Sequence, residues 1–61
     1  MEDNNTKIRR LLQEISTIID NKGRIGTYEI LTDIVIKMEE KYNLQEEEII
    51  KQLELILKSE V

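Results

Sequence analysis

The stretch TKIRRLLQEISTIIDNKGRIGT, residues 6–27, decides the fold. Ile8, Leu11, Leu12, Ile15, Ile18 and Ile19 recur at helical spacing, with Lys7, Arg9, Gln13, Glu14, Ser16 and Thr17 between them. That pattern is an amphipathic helix with one buried stripe. Asn5 or Thr6 can cap its start. Asn21-Lys22-Gly23 stops it, because glycine enters the left-handed region without the clash of a side chain. The first helix is therefore expected over about 6–21, after a flexible, polar N-terminus at 1–5.

Downstream, Arg24-Ile25-Gly26 is a short link whose one apolar residue, Ile25, is expected to drop into the core. Thr27 then caps a second helix, with Glu29 in the first turn, where the helix dipole favours negative charge. Its stripe is Leu31, Ile34, Val35, Met38 and Tyr42, which puts the helix over about 27–42. Asn43 with Glu46 three residues later forms a variant capping box. Ile49, Ile50, Leu53, Ile56 and Leu57 make a third stripe, over about 44–58. The fold class is all-α: one domain over 1–61 built as a three-helix bundle.

Composition agrees. The 61 residues contain no proline, two glycines and two tyrosines, Tyr28 and Tyr42, as the sole aromatics. Cysteine and histidine are absent, which removes disulfides, Cys/His zinc sites and imidazole chemistry. So small a bundle has little room for a pocket that could shift a carboxylate pKa, and Ser16 and Ser59 have no base to activate them. No enzymatic activity and no cofactor are expected. Glu46-Glu47-Glu48 does not make a metal site, since consecutive helical residues point to different sides. Lys22-Gly23-Arg24-Ile25-Gly26 lacks the spacing of a phosphate-binding loop. The polar start and the short apolar runs match neither a signal peptide nor a membrane span, so a cytoplasmic protein is the default.

Charge is uneven beneath the net value of -4. Residues 7–24 hold five basic side chains, Lys7, Arg9, Arg10, Lys22 and Arg24, against Glu14 and Asp20; residues 27–61 hold four against nine acidic ones. The basic five are the candidate phosphate contacts. Four apolar residues fall away from the buried directions or at helix ends: Ile30, Ile36, Tyr42 and Leu55. They are the candidate protein interface.

The order helix, Lys22-Gly23-Arg24-Ile25, helix, Tyr42-Asn43-Leu44-Gln45, helix opening on Glu46-Glu47-Glu48-Ile49 resembles winged-helix domains of the helix-turn-helix superfamily. The likeness spans roughly residues 8–61, and within that family it is most similar to the acidic domain that closes archaeal minichromosome-maintenance helicases. It implies a short strand after the first link, a β-hairpin wing beginning near Leu57-Lys58-Ser59-Glu60-Val61, and a place in DNA replication or transcription. Two features depart from the pattern. The wing is absent or cut short, and the helix that would read DNA opens on three glutamates, which repel phosphates. The Lys22-Gly23 joint is also similar to that of sporulation phosphatases of the Spo-zero-E group, but their Ser-Gln-x-x-Asp motif has no counterpart between Leu31 and Tyr42. The expected function is thus a protein-binding adaptor or homodimer, with a small DNA-binding regulator using the basic five as the alternative.

Overall fold

The computed structural model describes residues 2–60, which form three helices in the order α1 (Asn4–Asn21), α2 (Thr27–Glu40) and α3 (Glu46–Glu60). Among the described residues there is no strand, either after the first link or at the C-terminal end. Helix α3 runs on to Glu60, through the positions where a wing was expected to begin. Val61 and Met1 lie outside the described residues.

Helix α1 is the organising element. It packs on α3 and on α2, whereas α2 and α3 touch only sparingly. Ile8, Leu11, Leu12 and Ile15 from α1, Leu31 and Val35 from α2, and Ile49, Ile50 and Leu53 from α3 make the core. Ile19, Met38, Leu44, Ile56 and Leu57 close around it, half-buried. With α2 and α3 both leaning on α1, the molecule is a slab of 31 × 28 × 18 Å. Ser16, read from sequence as part of the polar face, is buried and donates its hydroxyl to the Leu12 carbonyl, so its burial leaves no polar side-chain atom unpartnered.

The helix ends differ from the sequence expectation in informative ways. Helix α1 begins earlier than Thr6, because Asp3 caps it: its carboxylate accepts the Thr6 N–H at 2.7 Å. The segment expected to be flexible is thus partly helical. At the other end the expected stop is present. Gly23, at φ 101°, donates to the Asp20 carbonyl and Arg24 to the Ile19 carbonyl, the paired bonds of a Schellman turn.

The link then turns the other way from the one expected. Ile25 is 92% exposed and does not enter the core. Gly26, also left-handed at φ 84°, reverses the chain so that Thr27 occupies the inside of the turn. The Thr27 hydroxyl donates to the Arg24 carbonyl at 3.0 Å, and its N–H donates to the Asp20 carboxylate at 3.4 Å. Thr27 is therefore the first buried residue of α2 rather than its cap, and Asp20 of α1 serves the orphan N–H.

Between α2 and α3 the expected capping box does not form. Asn43 adopts φ 54°, a left-handed conformation that asparagine tolerates, and so ends α2 instead of starting α3. This lets the Leu44 N–H return to the Met38 carbonyl at 3.0 Å and tucks Leu44 against the core. The Gln45 carbonyl accepts from Glu48 and Ile49 and opens α3 at Glu46, two residues later than expected.

Candidate interaction surface

Helix α2 carries more apolar surface than its neighbours cover. At ~100° per residue, Leu31 and Val35 point into the core while Ile30 and Ile34 fall together on the adjoining edge. Ile30 keeps 60% of its surface exposed and Ile34 keeps 39%. Ile34 was expected in the buried stripe. It stays uncovered because that stripe is wider than the strip α1 can cover, and α3 makes little contact with α2.

Of the four expected interface residues, all are exposed, but they do not form one patch. Ile30 lies beside Ile34, and Tyr42 sits just past the end of the same helix, with the Lys41 ammonium 6.0 Å from its ring centroid. Ile36 projects from the outer side of α2, roughly 160° from Ile34's direction and 120° from Ile30's by the same ~100° step. Leu55 stands alone on the outer side of α3, between Lys51 and Ser59 along that helix. The continuous feature is thus the Ile30–Ile34 edge, bordered by charge.

That border has a simple order. Glu29, Asp33, Lys37 and Lys41 follow one another at four-residue spacing, so they form a single ridge along α2 beside the two isoleucines. All four are exposed, and among the described residues none of them takes part in an ion pair. The acidic half of the ridge lies at the helix N-terminus and the basic half at its C-terminus, as the helix dipole favours.

The five expected phosphate contacts fare differently. Arg10 is held by Glu2, with Nε 3.0 Å from its carboxylate, and by Glu14 at 3.2 Å. The hydrogen bonds that Arg10 donates to Glu2 and then to Glu14 push its guanidinium pKa further up. Lys7 faces Glu54 at 4.0 Å, and Lys22 pairs with Glu60 at 3.0 Å while also donating to the Glu60 backbone carbonyl. Only Arg9 and Arg24 of the five lack a carboxylate partner among the described residues. They stand fifteen positions apart, at the start of α1 and beyond its end.

Concave features are shallow and lie elsewhere. One depression is lined by Gln13, Glu14, Thr17, Ile18 and Leu57 between α1 and α3; another, beside Ile19 and Arg24, is bridged by the Lys22–Glu60 pair. Among the described residues no group of acidic side chains is arranged to hold a metal ion, and no helix is long and apolar enough to cross a membrane. No protein-family model, curated protein or solved structure matches the chain.

Proposed function

We propose that this chain is a non-enzymatic protein-interaction module whose working surface is the Ile30–Ile34 edge of α2. The observation that carries the reading is the uncovered state of those two isoleucines beside a fully formed core. Two β-branched side chains, four residues apart on a short helix, form a small apolar strip of the kind that a partner covers. Helix-in-groove docking and homodimerisation both use such an edge. A winged-helix parentage with the wing missing or cut short, a cytoplasmic setting and a role in replication or transcription machinery belong to the same proposal. The parentage and the role are supported by the order of helices and links in the sequence, and the setting by the polar start of the chain and its short apolar runs.

The alternative, a DNA-binding regulator, is less well supported, because Lys7, Arg10 and Lys22 already face carboxylates and offer less counterion release.

Site-specific photo-crosslinking tests the proposal. A photoreactive residue at position 30 or 34, in the cells that make the protein, is expected to yield a discrete adduct, and one at position 51 on the outer side of α3 is not. No adduct from either α2 position, or equal adducts from all three, would overturn it.

A further inference from the structure

We infer that the covering partner is a second copy of this chain, whose α2 packs antiparallel against the first. This inference rests on the interaction reading above and adds the identity of the partner. It is drawn from the order of charges on the ridge Glu29, Asp33, Lys37, Lys41.

A two-fold axis perpendicular to two antiparallel helices, passing near Val35, sets residue 33 of one copy beside residue 37 of the other, and residue 29 beside residue 41. The same flank of both helices meets on the same side of the pair, as an isologous contact requires. Asp33 then faces the second copy's Lys37, Glu29 faces its Lys41, and the symmetry repeats both pairs. The ridge is its own complement. A parallel pair in register would instead place Asp33 on Asp33 and Lys37 on Lys37, which is repulsive at every step.

The seam beside the ridge fits the same axis. Ile30, Ile34, Lys37 and Lys41 follow one another at spacings of four, three and four, so they share one edge of the helix. In the antiparallel pair Ile34 lies against the stem of the second copy's Lys37, and Ile30 against that of its Lys41. Lysine stems cover apolar surface while their ammonium groups reach outward to the carboxylates. All six residues of ridge and seam are exposed and thus available.

The size of the contact sets its strength. Helix α2 is 14 residues long, about 21 Å. One edge of it buries much less than the ~800 Å² per partner of a stable interface. The dimer is therefore weak and concentration-dependent, and its charges choose orientation more than they supply affinity.

The test uses two charge-reversed forms of the whole chain. One carries Glu29→Lys with Asp33→Lys, making the ridge all basic; the other carries Lys37→Glu with Lys41→Glu, making it all acidic. Sedimentation equilibrium at low salt is expected to show self-association by the unaltered chain. Each reversed form alone should associate roughly tenfold or more weakly. An equimolar mixture of the two should recover the association, as a heterodimer. Circular dichroism establishes that each form remains helical; if a double substitution unfolds the chain, Asp33→Lys and Lys37→Glu singly carry the same logic.

Self-association by either reversed form at the unaltered strength, or a mixture that stays monomeric, overturns the inference. So does an unaltered chain that is monomeric at millimolar concentration. In that last case the photo-crosslinking result stands separately, since an adduct of a mass other than twice the chain's own would keep the interaction reading and remove only the self-pairing.

Discussion

Replacing Ile15 by valine, and separately Ile25 by valine, removes the same methylene from two positions that the sequence places alike and the structure places at opposite extremes. Ile15 is 0% exposed at the centre of α1, while Ile25 is 92% exposed in the link. Loss of one buried methylene costs about 0.8 kcal/mol in transfer, and the cavity left behind brings Ile→Val substitutions to about 0.5–1.5 kcal/mol. A 61-residue chain at roughly 0.05–0.15 kcal/mol per residue holds only about 3–9 kcal/mol in total. The Ile15 change therefore uses a measurable share, and at about 4–8 °C per kcal/mol for a domain of this size it lowers the melting temperature by about 2–12 °C. The Ile25 change has no cavity to create and stays within about 0.5 kcal/mol. Thermal unfolding followed by circular dichroism at 222 nm, at one fixed protein concentration, reads both. Equal shifts, or a larger one for Ile25, would refute the placement of the link outside the core.

Three further outcomes follow from the helix ends and the charges. Gly23→Ala meets no steric obstacle, since nothing lies within 4 Å of an added Cβ, yet φ 101° is costly for any side chain; a loss of about 1–2 kcal/mol is expected in chemical denaturation. Asp3 has its pKa lowered from the usual 3.8 by the Thr6 backbone hydrogen bond, with Arg9 as a smaller contribution. Its contribution to α1 is thus complete above that value and lost as pH falls through the lower, folded value. The Thr6 amide resonance should titrate with a midpoint below 3.8, and Asp3→Asn should abolish that titration. Duplex DNA should bind weakly to the unaltered chain, and Glu2→Gln with Glu14→Gln, by releasing Arg10, should strengthen binding and steepen its salt dependence. Tight binding by the unaltered chain in a filter or anisotropy titration would favour the DNA reading instead.

The three helices were legible because each carries a stripe at helical spacing, and nine of those stripe residues are the buried core. The Gly23 stop was legible too, since its backbone requirement is local. What escaped the sequence depended on which way the chain turned next. Ile25 looks like a core residue to any reading based on hydrophobicity. It is excluded because Gly26 and the Asp20–Thr27 hydrogen bond turn the link inside out. Asn43 was read as a cap at the start of α3 and acts as a left-handed stop at the end of α2, a choice made by where Leu44 can be buried. Asp3 was overlooked as a cap because no apolar residue marks the first turn that it starts.

At the surface, the angles of Ile30, Ile36 and Leu55 mark them as exposed, whereas Tyr42 falls on the α2 stripe by angle and is exposed because the helix ends at Glu40 before reaching it; the grouping of the four is not legible. Ile34 was missed because it lies at the margin of the stripe, and only the thin contact between α2 and α3 shows that nothing covers it. The signal that could have found it was the unbroken run of four-residue steps from Glu29 to Lys41. The ion pairs of Lys7 and Lys22 were illegible, since their partners Glu54 and Glu60 are brought near only by the packing of α3 on α1.

Isotope-filtered nuclear Overhauser spectroscopy on a mixture of labelled and unlabelled chain tests the central claim most directly. Cross-peaks between chains are predicted from the Ile34 methyls to the Lys37 side chain and from the Ile30 methyls to the Lys41 side chain, strengthening with concentration. Inter-chain cross-peaks confined to Leu55 and the outer side of α3, or none at millimolar concentration, would contradict it.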